Sequence, residues 1–187
     1  MKPRIIQRTK LHQGYLTVER LNIRLPGGVE VIREVETHGD AVAVLPYDPE
    51  KRVALLVRLF RPPAFDRFGQ IALEEACAGM VEAEEPSGAA RREAFEELGL
   101  RLHTLEYVGC LWPSPGVSAE QVTLFLAPYT ATDRVNGGGG VADEHESIVV
   151  VERTLATLAA DADGGRIDDL KLLTLILTLR ARHPTLF

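Results

Sequence analysis

Apolar residues fall along this chain in two rhythms, and the changes from one to the other mark its elements. In "LTVERLNIRLPGGVEVIREVET", Val and Ile are enriched on both sides of Pro26-Gly27-Gly28, which predicts two strands joined by a turn. "DAVAVLPYD" and "RVALLVRLFR" flank the turn residues "DPEK", and their unbroken apolar runs predict strands buried on both faces. "HTLEYVGCLW", "EQVTLFLAPY" and the short "SIVVV" add three more strands. Helices are fewer. Pro86 suits a first helical position and Gly99 the residue just past an end, so 86–98 is predicted helical. "ERTLATLAAD" and "DDLKLLTLILTLRARH" predict two more, the last opening on Asp and closing on Arg and His as the helix dipole favours. The glycine run Asn136–Gly140 predicts a mobile loop between the sixth and seventh strands. This order predicts an α+β fold, a mixed sheet flanked by helices with a separate N-terminal hairpin.

Bulk properties narrow the function. With 187 residues, the expectation is one domain, or one with a small appendage. A net charge of −6 argues against a non-specific nucleic-acid binder. The two cysteines, Cys77 and Cys110, do not make a disulfide framework, so a reducing cytoplasm is expected. "MKPRIIQRTK" lacks the apolar core of a signal peptide. "LKLLTLILTL" is too short to span a bilayer and carries Lys171, so no membrane partner is expected.

The chemistry concentrates around 86–98. At 100° per residue, Glu93, Glu96 and Glu97 can converge on one site. Glu97 falls between Ala90 and Ala94, on the side those small residues press toward the sheet. A merely solvated stripe would place its acids opposite the alanines. A partly buried carboxylate needs a cation or several donors, and hard oxygens on a rigid element suit Mg²⁺ or Mn²⁺. Surface pairing with Arg91 and Arg92, both within helical reach, is the alternative.

The run Gly79, Glu84-Glu85, Arg92-Glu93, Glu96-Glu97, Gly99-Leu100 resembles the Nudix box, G-x5-E-x7-R-E-U-x-E-E-x-G-U with U a bulky apolar residue. The second half matches except at Ala94. The first half is one residue short, which leaves Glu84 and Glu85 both open as the loop carboxylate. "IREVETHGDAVAVLPYD", "LLVRLFRPP", "LEEACAGM", "SPGVSAEQVTLFLA" and "VADEHE" are similar to the nucleoside-diphosphate-sugar branch, the ADP-ribose and GDP-mannose pyrophosphatases. The shortened loop after "EACAG", the glycines before "VADEHE" and the lysine of "IDDLK" lean toward the GDP-mannose enzymes.

This resemblance implies a Nudix fold, an α/β/α sandwich with an N-terminal antiparallel hairpin subdomain (1–38, for dimerisation, before a hydrolase domain at 39–187). It implies Mg²⁺, with Mn²⁺ possible, on Glu93, Glu96, Glu97, Glu144 and the Ala78 carbonyl, and Arg92 pairing with the loop carboxylate. Glu97, Glu144, Glu120 and Arg92 are the expected catalytic residues, with Glu120 and Glu144 both open as general base. Tyr15, Arg33, Glu34, Arg61, Glu75, Gly79 and Lys171 are expected to border the substrate, Tyr15 by stacking and Arg61 by gripping phosphate. The expected reaction cleaves a nucleoside diphosphate sugar, GDP-mannose first, to a nucleoside monophosphate and a sugar 1-phosphate. ADP-ribose cleavage to AMP and ribose 5-phosphate is the alternative, and a non-catalytic nucleotide-sugar-binding module the third reading. A homodimer with exchanged N-terminal segments is expected. The histidines have no metal-ligand spacing and are assigned no role.

Overall fold

A computed structural model of the chain describes residues 2–140 and 147–187. The chain divides into two compact units, Met1–Asp40 with Leu111–Val122, and Ala41–Cys110 with Thr123–Phe187.

The first unit is built on β1 (Arg4–Gln13), β2 (Thr17–Arg24) and β3 (Glu30–Thr37), an antiparallel sheet in that order. The predicted hairpin is β2–β3, turning at Gly27 and Gly28, both at positive φ. The first strand is an addition to the predicted pair. Every residue of β1 is exposed, and "RIIQRTKLHQ" shows no clean apolar alternation, so only its pairing with β2 defines it. Backbone hydrogen bonds stitch the segment 111–122 to the end of β3. Glu36 N–H donates to the Val117 carbonyl and Ala119 N–H to the Glu36 carbonyl, each at 2.9 Å.

The second unit holds a seven-stranded sheet. Its main path is β10 (Val149–Thr154), β5 (Val53–Leu59), β4 (Ala41–Asp48), β9 (Val122–Pro128) and β8 (Glu106–Leu111). Two short strands, β6 (Leu73–Glu75) and β7 (Cys77–Met80), pair antiparallel with β5 and β4. As their apolar runs predict, β4 and β5 are buried on both faces. Helix α2 (Pro86–Leu98) packs on the face that carries Val42, Val44, Leu55 and Val57. Helix α4 (Leu170–Arg182), paired with α3 (Leu155–Asp163), packs on β4 from outside that cluster, so helices cover both sides. A further short helix, α1 (Pro62–Phe68), follows β5 and buries none of its residues. Neither α1 nor the β6–β7 pair carries enough apolar periodicity to be predicted. Among the described residues, no helix is long and apolar enough to cross a membrane.

Candidate active site

Helix α2 begins and ends as its sequence dictates. Glu85 is its extended N-cap, Pro86 takes the first turn, and Gly99 closes it in the left-handed region at φ 68°. Ala89, Ala90, Ala94 and Leu98 are fully buried, and the small side chains let the helix lie close to β4 and β7. Glu97 shares that face and is only 6% exposed. Its Oε2 accepts the Ala78 backbone N–H at 3.1 Å, so a strand donor meets the buried carboxylate.

Gly79, the next residue of β7, makes room for a second acid. A β-carbon there would overlap the Glu93 carboxylate, so only glycine lets this acid lie against the strand. Arg92 then gathers the others. Its Nε donates to Glu84 at 3.0 Å, one Nη to Glu93 at 2.6 Å and Glu96 at 3.1 Å, and the other Nη to the Met80 carbonyl at 3.0 Å. Burial opposes the charge on this guanidinium, but hydrogen bonding to Glu84 and the charge of Glu93 outweigh it and hold the proton more firmly than usual. Of the two glutamates left open for the loop position, Glu84 meets Arg92, while Glu85 sits at the N-cap position with no side-chain capping bond. Arg91, the other candidate for surface pairing, instead donates to the carbonyls of Ser87, Leu102 and His103.

Beneath the acids lies Cys77, fully buried. Burial drives its thiol well above the ordinary range, and the charge of Glu97 adds to the effect. Cys110 is exposed.

The glycine run forms no regular structure, as expected, and its last residues bond to the end of α2. Gly139 N–H donates to the Glu97 carbonyl at 2.9 Å and Gly140 N–H to the Glu96 carbonyl at 3.1 Å. These bonds satisfy carbonyls that the end of a helix leaves without internal partners. A β-carbon at Gly138 would strike the Glu97 carbonyl, and the φ of +68° also favours glycine. Glu144, expected as ligand or base, lies outside the described residues.

Three of the expected substrate residues form one cluster. Arg61 grips Glu75 with both arms of its fork, at 2.7 and 3.1 Å, and Lys171 reaches Glu75 at 3.2 Å and Asp169 at 2.8 Å. Burial opposes the charge on Glu75, but the hydrogen bond from Arg61 and the charge of Lys171 hold its carboxyl below the usual range. Asp169, which the sequence marks only as a helix-opening residue, also accepts N–H groups from Ala76 and Leu172. It fastens α4 to the strand that leads into Ala78 and Gly79.

Tyr15, Arg33, Glu34 and Glu120 belong to the first unit. Tyr15 is 85% exposed in the β1–β2 turn, its ring 6.2 Å from that of His38. Arg33 donates to its neighbour's carbonyl, and Glu34 pairs with Arg20 across the sheet at 3.2 Å. Glu120 N–H donates to Ser118 Oγ, and the Glu120 carboxylate stands 3.5 Å from His38 Nε2. On the other side of that ring, Nδ1 lies 2.9 Å from Glu36. Glu36 lies only two positions before His38, but Glu120 arrives from a loop some 80 positions away, so no local spacing marks the pair of contacts.

Chemically, the acids of α2 are hard-oxygen groups of the kind that a small divalent cation takes. The Gly79 cradle fits the same purpose. Among the described residues, no three acidic, His or Cys side chains already converge on a common point, and Arg92 holds Glu84, Glu93 and Glu96 in its fork.

Comparison with known proteins identifies the family. Residues 37–174 match the NUDIX domain. A GDP-mannose pyrophosphatase from Cronobacter sakazakii is 38% identical over 151 residues, spanning 80% of this chain and 78% of that protein. The protein of the same name from Escherichia coli K12 is 33% identical over 180 residues, 92% of each chain. The crystal structure of an ADP compounds hydrolase superposes with a TM-score of 0.77 over 98% of this chain and 97% of its own, at 19% identity, and so shares the fold. With most of its length matched and the arginine-centred acids on its central helix, this chain belongs to the Nudix family.

Proposed function

We propose that the protein is a divalent-cation-dependent pyrophosphohydrolase of nucleoside diphosphate sugars, with GDP-mannose the favoured substrate and GMP and mannose 1-phosphate the products. The observation that carries this reading is Arg92 drawing Glu84, Glu93 and Glu96 together beside the buried, strand-anchored Glu97. The two relatives named GDP-mannose pyrophosphatase support the choice of sugar nucleotide.

The residues divide the work. Glu93, Glu96, Glu97 and the Ala78 carbonyl would hold Mg²⁺, or Mn²⁺ in its place. Such a cation supplies charge neutralisation at the diphosphate and makes water more acidic. Arg92 keeps the acids from splaying under their mutual repulsion. A general base, Glu120 or Glu144, takes the proton of the attacking water. Arg61 and Lys171 are held by Glu75 with their charges poised for phosphate, and Tyr15 offers a face to the base. In this reading, the N-terminal region 1–38 serves a homodimer with exchanged segments. Ile5, Ile6 and Leu11, all exposed on β1, are the apolar surface that a partner would cover.

The deciding experiment incubates the protein with GDP-mannose, ADP-ribose and UDP-glucose, with Mg²⁺ and then Mn²⁺, and identifies the products. GMP with mannose 1-phosphate, formed fastest, is expected. Preferred release of AMP and ribose 5-phosphate moves the assignment to ADP-ribose. Tight binding of a nucleotide sugar without turnover makes the protein a binding module. Sedimentation at micromolar concentration, with a monomer as the contrary result, tests the dimer.

A further inference from the structure

Outside the acidic helix, His38 stands between two carboxylates, Glu36 and Glu120. We propose that His38 is a positioning residue for Glu120, its ring clasping the Glu120 loop to the end of β3. The proposal rests on Glu120 acting as general base, and it adds a residue that neither the motif nor the family match singles out.

The geometry has three parts. The loop is already fastened along its backbone, by Glu36 N–H to the Val117 carbonyl, Ala119 N–H to the Glu36 carbonyl and Gln121 N–H to Asp40 Oδ1 at 3.0 Å. Those bonds place the main chain but do not hold the Glu120 carboxylate. His38 addresses the side chain: Nδ1 is 2.9 Å from Glu36 and Nε2 is 3.5 Å from Glu120, the first a hydrogen bond and the second an ion-pair contact. Tyr15 stacks over the ring at 6.2 Å and an interplanar angle of 23°. The groups facing His38 are therefore Glu36 from β3, Glu120 from the loop and Tyr15 from the β1–β2 turn.

The chemistry of the ring makes this clasp conditional. Imidazolium carries two N–H donors, one for each carboxylate, whereas neutral imidazole carries one. The hydrogen bond to Glu36, with the charge of Glu120 adding to it, keeps His38 protonated above its ordinary range against the opposing effect of burial. Glu36 is held low in turn, first by its hydrogen bond from Ser118. When the proton leaves, one carboxylate loses its donor. The longer contact, to Glu120, is the one that gives way.

The test compares wild type, His38→Asn, His38→Arg, Glu36→Gln and Glu120→Gln on GDP-mannose across pH, with melting temperatures and an NMR titration of the His38 ring. Under the proposal, His38→Asn loses about 10–100-fold in kcat, the usual effect of removing a residue that orients an active group. His38→Arg, a cation at every pH, recovers most of that loss and lacks the alkaline fall of the wild type. The ring of His38 titrates lower in Glu36→Gln and in Glu120→Gln. Wild-type kcat and an unchanged alkaline limb in His38→Asn, beside an inactive Glu120→Gln, overturn the inference and spare the base assignment. Full turnover in Glu120→Gln removes that assignment and the inference with it. An unchanged His38 titration in Glu120→Gln shows that there is no clasp, whatever the turnover.

Discussion

Carboxylates are managed differently in the two units. On α2, a guanidinium joins Glu84, Glu93 and Glu96; at the end of β3, an imidazole joins Glu36 and Glu120. Arginine offers five donors in a fixed fork and keeps its proton at any working pH. Histidine offers two donors and gives one up near neutrality. The first arrangement suits acids that must stay together under all conditions. The second makes the hold on Glu120 depend on pH.

Several variants separate the two designs, and the largest effect belongs to the buried acid. Glu97→Gln keeps the shape and the Ala78 hydrogen bond but loses the charge, so kcat should fall on the order of 10³-fold, with circular dichroism and melting temperature near wild type. Near-normal turnover would remove Glu97 from the chemistry. Arg92→Lys retains a cation but not the fork, and about a 10²-fold loss in kcat with a higher Mg²⁺ requirement is expected from a metal titration of the rate. If lysine serves as well as arginine, charge alone gathers the acids and the fork adds nothing.

Gly138→Ala tests the backbone strap rather than the charges. Left-handed φ and collision with the Glu97 carbonyl should cost about 1–3 kcal/mol, read by chemical denaturation. Stability against pH probes the imidazole side. Because His38 is raised, its contribution is fully present below the ordinary value of 6.5 and fades as pH climbs through the raised value. Glu36 is lowered, so its contribution is present above the ordinary 4.5 and fades as pH falls through the lowered value. The alkaline slope should disappear in His38→Asn. The smallest effect is that of Tyr15→Ala. A stacked base lost from an exposed ring should raise KM a few-fold, in keeping with about 0.5–1.5 kcal/mol for an aromatic pair, and leave kcat near wild type.

What the sequence made legible followed from local rules. The limits of α2 came from Pro86 and Gly99, and the burial of Glu97 from its angle beside Ala90 and Ala94. The unbroken apolar runs of β4 and β5 told both their existence and their two-sided burial. Strand β1 escaped notice because its side chains are exposed throughout, so no apolar face advertises it. The contacts of Arg61 and Lys171 with Glu75 escaped for another reason. They depend on the register of β5 against β6 and on where α4 begins, neither of which a local pattern encodes. His38 belongs to the same class. The glycine run is the irregular segment that its composition predicts, but composition does not tell that Gly139 and Gly140 use their N–H groups to close a helix end.

The contrast between the two thiols has a practical use. A water-borne disulfide reagent should modify Cys110 at once in the native protein and reach Cys77 only when the floor under Glu97 opens. The delay before the second sulfur reacts is then a clock for local breathing of that floor, and a cation or nucleotide that settles on the acids should slow it.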